Sequence, residues 1–516
     1  MKKKFDIVAL FLMIGVFMAA LDNGIISSAL TTINRSFNIT TQMGSFGITV
    51  YTLGMAITTP IAGKLADMYG RKKVFLAEVI LFGAGSLIVA LSPNFAIFII
   101  GRLVQSFGGG GLFVIASSHI ISTYTKEKQG SMLGGLGAMN GIASVLGPNL
   151  GSLLINITGT WHWLFLINVP VAIMIVIFVA IKMKETQEHV STKIDKYAIM
   201  MFSLSTLLIM FAINNIQAGE LMNSIISLSV IGLFILAILG YGIMIWIEKK
   251  NEGTNVDSFL PYYLLKRPAF SVTLIMGVFS GMLIGAIIFI PSFVENVLLV
   301  EAKNSGYWMT PLAIASGIGA SLGGKIVDKK GPIFALILAS TISIIGYGGL
   351  AFFTASTSTF MIYSIIAGLG FGFVIGAPMT VLATKAADSD KSNSTVIGTL
   401  SVSRQIGITI SPTLFATFIQ IGFSQMGVKI KEALNQVGVS MKDIPNDMMK
   451  NLEGNSDTII ETVNQVKQIP DDTIKEAILT GIENASHLAY MPIFLTASIA
   501  SLLIMLLVIL FRKEFK

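Results

Sequence analysis

The 516-residue chain is long enough for about three soluble domains. With 53% hydrophobic and only 12% charged residues, however, it lacks the polar groups to coat a surface in water, and an integral membrane protein is expected. The net charge of +7 would suggest nucleic acid in a soluble chain; here the basic residues sit in short loops between apolar runs, and the lack of cysteine excludes disulfides, thiolate metal sites and a cysteine nucleophile.

Met1–Leu21 begins with three lysines and continues apolar without a small-residue cleavage site, so it reads as an uncleaved first span. A helix needs about 20 largely apolar residues to cross the hydrocarbon. Candidates follow at 5–34, 44–66, 74–91, 95–122, 129–155, 162–182, 197–215, 222–247, 269–294, 305–327, 332–353, 358–384, 392–424 and 488–511, fourteen in all. None shows the strict alternation of a β-barrel strand. With the N-terminus in the cytoplasm, lysines and arginines gather in alternate loops, and only Arg35 and Lys303 fall in the short loops of the other side. Both termini are therefore expected in the cytoplasm of a bacterial cell, the chain being multi-pass in its cell membrane. Residues 425–487, the one sizeable polar segment, are expected outside as a helical hairpin with arms near Lys429–Val437 and Thr473–Asn484.

Ionisable residues inside spans are expensive and are functional candidates. Asp22 in span 1 and Arg102 in span 4 lie at similar depth with opposite charge, which predicts a pair serving proton coupling or simple mutual neutralisation. Arg404 and Gln405, about three turns into span 13, are candidates for substrate, lipid or carbonyl contact; a snorkelling or interhelical structural arginine is the alternative. Glu295, at the outer end of span 9, is a candidate for the pathway or an interfacial carboxylate. Glu78, which can reach the cytoplasmic interface from span 3, reads as a structural carboxylate, with a place in the pathway as the alternative. Pro148, between Gly147 and Gly151, is expected to kink span 5 and permit close packing.

An internal repeat organises these spans. Gly63-Lys-Leu-Ala-Asp67-Met-Tyr-Gly70-Arg71 follows span 2, and Gly324-Lys-Ile-Val-Asp328-Lys-Lys-Gly331 follows span 10. Their equivalent places divide the chain into a six-helix bundle over 1–184, a linker with spans 7 and 8 over 185–267, and a second bundle over 268–516. Such symmetry marks secondary transporters.

On these residues the chain resembles the major facilitator superfamily, and within it the fourteen-span drug:proton antiporters. The loop at 63–75 is similar to the superfamily's signature loop. Leu21-Asp22-Asn-Gly-Ile25 resembles the first-span motif, Arg102-Leu-Val-Gln105 the fourth-span motif, and Gly147-Pro148-Asn-Leu-Gly151 the fifth-span antiporter motif. Ser106 and Gly24 depart from those patterns. The resemblance implies an all-α major facilitator fold, two bundles plus two inserted helices, with the signature loops as a cytoplasmic latch. It further implies proton-coupled export of lipophilic or amphipathic compounds by alternating access, with a lipid or glycolipid flippase as the alternative. No catalytic constellation or nucleotide loop is visible, so an enzyme is not expected. Nor is any cofactor beyond the proton gradient, nor a metal. The expected partners are a small lipophilic substrate, protons and membrane lipids, without nucleic acid, around a monomer.

Overall fold

The computed structural model describes residues 7–39, 41–185, 195–216, 221–252, 254, 258–260, 262–300, 305–354, 356–387, 393–438, 463, 466–467, 469 and 471–515. The side chain of Pro148 and residues 439–462 of the polar segment lie outside what it describes.

Long apolar runs become long helices, even across the interior prolines Pro60, Pro412 and Pro492, because in a low-dielectric surrounding every backbone group must be satisfied within the protein. The first part of the chain forms α1 (Ile7–Phe37), α2 (Thr41–Tyr69), α3 (Arg71–Ala90), α4 (Phe95–Gly109), α5 (Leu112–Thr123), α6 (Lys126–Thr158), α7 (His162–Leu166) and α8 (Asn168–Lys182). Then come α9 (Lys196–Asn214), α10 (Leu221–Ile226), α11 (Leu228–Asn251) and α12 (Tyr262–Leu265). The last part comprises α13 (Pro268–Ile288), α14 (Ile290–Asn296), α15 (Thr310–Lys330), α16 (Pro332–Phe352), α17 (Thr357–Ile375), α18 (Ala377–Ala387), α19 (Asn393–Ser424), α20 (Met426–Gln436) and α21 (Asp472–Leu510). Eleven helical segments among the described residues are long and apolar enough to cross a membrane. Helices α2, α6 and α15 have 29, 33 and 21 residues but richer glycine and hydroxyl content, and they fall outside that set.

Two rods expected to be continuous are broken at glycine. Gly110 and Gly111 separate α4 from α5, and Gly376 separates α17 from α18. The expected hairpin also differs from the observed helices. Its first arm is α20, but its second arm is the beginning of the 39-residue α21, which runs unbroken into the last apolar stretch. Nothing between Asp472 and Leu488 breaks a helix, so the change in polarity does not become a change in backbone. Against these first turns α20 lies closely: a Cβ on Gly481 would meet the Ile430 Cα at 2.5 Å.

Helices α1–α8 pack among themselves, as do α13–α21, while α9 and α11 pair beside them. The buried apolar side chains show how the two halves meet. One cluster takes Phe11 and Val79 from the first half, Phe202 and Phe259 from the α9–α12 region, and Met276, Val396 and Phe515 from the second. It lies at the end of the bundle that carries both termini, called here the terminal end. At the opposite, far end each half has its own cluster, around Phe98 and Trp161 in the first and Phe293 and Tyr490 in the second. The halves therefore share a core at one end only.

Candidate functional site

At the terminal end the repeated loops fasten one half to the other. Gly70 and Gly331 end their repeats with φ of 99° and 82°, a backbone that glycine adopts without a Cβ clash. The turn places Asp67, near the end of α2, against the beginning of α19. Its Oδ2 accepts hydrogen bonds from the Thr395 backbone N–H at 3.1 Å and the Thr395 hydroxyl at 3.2 Å. Arg71 lies 3.7 Å from Asp67 Oδ1, is wholly buried, and donates to the hydroxyls of Ser118 and Ser122 on α5. Ser394 of the second half donates to Ser118 in turn at 2.6 Å. In the second copy, Asp328 at the end of α15 accepts from the N–H groups of Gly130 and Ser131 at 2.6 and 2.8 Å, and from the Ser131 hydroxyl. Gly63 and Gly324 make these approaches possible: a Cβ would lie 2.6 Å from the Ser394 carbonyl oxygen in one case and 2.1 Å from that of Gly130 in the other.

Toward the far end the seam between α2 and α19 opens. The face of α19 turned to α2 is buried at Ser394 and Gly398, half-buried at Ser401, Gln405 and Ile408, and exposed at Pro412. Along α2 the same change runs from Gly63, Pro60 and Ala56 to Thr52 and Thr49. Helices α6 and α15 instead stay close beyond the latch, with Ser316 against Gly141 and Ile142 against Gly317. Gly147 of α6 faces α1, where a Cβ would meet Gly24 Cα at 2.5 Å; Gly151 is buried on the same helix.

Within the first half, five helices converge on one polar cluster. Arg102 on α4 donates through Nη1 to Asp22 Oδ2 on α1 at 2.6 Å, and to Gln105 Oε1 at 2.6 Å. Gln105 Nε2 donates to Asp22 Oδ1 and to Ser86 Oγ of α3, both at 2.8 Å. Asn168, at the start of α8, donates from 3.4 Å to Asp22 Oδ1 and Ser86 Oγ. The Arg102 guanidinium stacks 3.9 Å above the ring of Tyr51 on α2. Every one of these side chains is 2% exposed or less. Taking two charges out of water is favourable only when geometry and extra hydrogen bonds compensate, and breaking such a pair on one side typically costs about 3–5 kcal/mol. The amides and the aromatic face supply part of that compensation around Asp22 and Arg102, while Arg102 Nε and Nη2 are buried without a hydrogen-bond partner among the described residues. Sequence reasoning paired those two residues but assigned no role to Asn168, Ser86 or Tyr51, which are polar groups scattered among apolar runs.

The other candidates lie apart. Glu78 does not reach toward the interface as expected. It is buried, and its Oε2 accepts the Gly111 N–H at 2.7 Å, at the break between α4 and α5. A carboxylate there satisfies a backbone donor that the broken rod has released. Glu295 is half-buried in α14 near the far end. Arg404 is not a snorkelling residue: it is buried between α19 and α13 and donates from Nε to Ser280 Oγ at 3.2 Å. Gln405 beside it is half-buried on the open face. No group of histidine and acidic side chains suited to a metal occurs among the described residues.

The relatives agree with this arrangement of halves. The chain is 48% identical over 95% of its length to an uncharacterized MFS-type transporter, YfiU, of Bacillus subtilis, covering 94% of that protein. It is 31% identical to Multidrug resistance protein 3 of the same organism, covering 95% of this chain and 93% of the relative. The solved proton:xylose symporter XylE superposes with a TM-score of 0.57 over 95% of this chain and 94% of its own; at 13% identity that likeness concerns the fold. The family model of the Major Facilitator Superfamily matches residues 12–412, from α1 to the middle of α19. With two latched halves, a repeat across them and this match over most of its length, the chain belongs to the major facilitator superfamily of membrane transporters.

Proposed function

We propose that this protein is a proton-coupled antiporter that exports lipophilic or amphipathic compounds by alternating access. The observation that carries the reading is the sealed cluster of Asp22, Arg102 and Gln105. An acid held by a single cation deep in a transporter half is suited to exchange a proton when the pair separates. Protonation of Asp22 would remove the charge that holds Arg102 Nη1, freeing α4 to shift against α1. Relatives named multidrug resistance proteins support an efflux role, among them the Multidrug resistance protein B homolog of Mycobacterium tuberculosis, 25% identical over 79% of this chain.

In this reading all fourteen long rods span the bacterial cell membrane. The three less apolar ones, α2, α6 and α15, cross within the bundle, where glycines and hydroxyls meet neighbouring helices instead of lipid. The terminal end is cytoplasmic, as the distribution of lysine and arginine requires, and the α20–α21 pair stands outside. The conformation described then has its cytoplasmic side latched. The test is substrate-induced proton release in reconstituted vesicles with a lipophilic fluorescent dye. Asp22→Asn keeps the shape of the site but carries no exchangeable proton, so the dye should still bind while proton release and uphill efflux disappear. Proton release that persists in the variant would place coupling elsewhere.

A further inference from the structure

The second half contains a buried cation with no counter-ion among the described residues. Arg404 is 8% exposed, yet its one hydrogen bond is to the neutral Ser280 hydroxyl, and its Nη2 is buried without an acceptor. A guanidinium carries five N–H donors in a planar fork and cannot shed its charge. Buried charges are ordinarily paired, because leaving one bare in an apolar surrounding is costly. The five buried carboxylates among the described residues are all engaged elsewhere: Asp22 with Arg102, Asp67 with Thr395, Glu78 with Gly111, Asp195 with Ala198 and Glu248 with Leu260. Asp22 of the first half is thus already held by a cation, and none of the five buried carboxylates is hydrogen-bonded to Arg404.

Its position matters as much as its charge. Helix α2 packs tightly on α19 at Ser394, Thr395 and Gly398. Arg404 follows Gly398 by six residues, ~9 Å along the helix, beside Gln405 on the stretch where the face toward the first half is no longer sealed. A ligand between the halves therefore meets the helix that holds the unpaired guanidinium.

We propose that Arg404 recognises an anionic substituent, a carboxylate or phosphate ester, on an amphipathic substrate, with the Ser280 hydroxyl steadying the guanidinium and Gln405 offering a neutral contact nearby. The planar fork matches the two oxygens of either group. This rests on the export reading and adds the chemical class of what is exported. The anion can come from a free lipophilic acid or from a lipid headgroup.

The test is equilibrium binding to the purified full chain, without a proton gradient, so that a failure of coupling at Asp22 leaves the readout intact. The probes are a dansylated long-chain carboxylic acid and its methyl ester, which differ in charge and little else. The wild type should bind the acid more tightly by about 30-fold or more, the scale of a buried charge contact. Arg404→Gln should erase that preference while leaving ester binding in place, and Arg404→Lys should retain part of it. Displacement of the acid by phosphatidylglycerol but not phosphatidylcholine would assign the anion to a headgroup; retention would assign it to a free amphiphile. Equal binding of acid and ester by the wild type overturns the proposal, and that comparison stands even where a variant fails to fold. A parallel loss of both probes in a folded Arg404→Gln would also overturn it, since it would make Arg404 a structural residue.

Discussion

Substituting Asp67 by asparagine tests whether the latch sets the balance between conformations. The asparagine carbonyl can take the place of Oδ2 and keep both contacts to Thr395, at 3.1 and 3.2 Å, but without the negative charge. Hydrogen bonds to a charged group contribute about 1.5–3 kcal/mol against 0.5–1.5 for neutral ones, so the closed terminal end should lose ~1–2 kcal/mol. The contact with Arg71 lies within the first half and persists when the halves part, so its loss weighs on both conformations alike. One to two kcal/mol is a factor of about 5–30 in population. The wild type has no cysteine, so Ala320→Cys creates a single labelling site. Ala320 is 1% exposed and faces Gly134 and Gly137 across the seam of α6 and α15. Its reaction with a small thiol probe in the purified protein should accelerate by that factor on adding Asp67→Asn. Asp328→Asn should act at least as strongly, because three donors converge on its two oxygens and an amide NH₂ must oppose one of them. The two aspartates share no partner, so their effects should add. A labelling rate unchanged in the double variant would refute the latch.

Two further outcomes are expected. Arg102→Ala should strand the Asp22 carboxylate and lower stability by about 3–5 kcal/mol, read as a depressed melting temperature, whereas Asp22→Asn with Arg102→Ala should be markedly less destabilised than the sum of the singles; additive losses would show that the two residues do not act as a pair. A cysteine at Asn455 should react with an impermeant reagent on intact cells, and reaction only after permeabilisation would reverse the proposed orientation.

How much of this was legible from residues alone follows from what each signal measures. Counting ~1.5 Å per residue placed Asp22 and Arg102 at similar depth, and the repeat of the two glycine–aspartate loops marked equivalent places in the halves, since helical rise and repeat position are local properties; that these loops form a latch came from the family resemblance. The convergence of Gln105 and Asn168 on both Asp22 and Ser86 was not legible, because contacts such as those 83 and 146 residues apart are fixed by how the helices pack. Glu78 reads as structural in the sequence, but its place was hidden for the same reason. Its nearness to Lys73 in the chain suggested the interface, but the donor it satisfies arises only where α4 gives way to α5. The run Gly108–Gly111 was visible as glycine, yet which of the four marks the break depends on neighbours: a Cβ on Gly108 would strike the Phe82 backbone at 2.1 Å, and one on Gly111 would strike Ala62 and the Glu78 carboxylate. Helices α2, α6 and α15 were legible as spans 44–66, 129–155 and 305–327 although they are less apolar than the rest, because the helices that meet the other half need small and polar faces.

The break at Gly110 and Gly111 separates two kinds of cargo on one rod. The far segment carries Arg102 and Gln105, which grip the acid; the near segment carries Ser118 and Ser122, which Arg71 ties into the latch. Had the rod been continuous, any tilt caused by letting go of Asp22 would have been transmitted in full to the latch, and a proton arriving alone would unlock the terminal end. In the proposed cycle an elbow pinned by Glu78 would allow slack between the two movements. That slack would keep a lone proton from running through the transporter, the upper arm swinging first and the lower arm following only once something is seated between the halves.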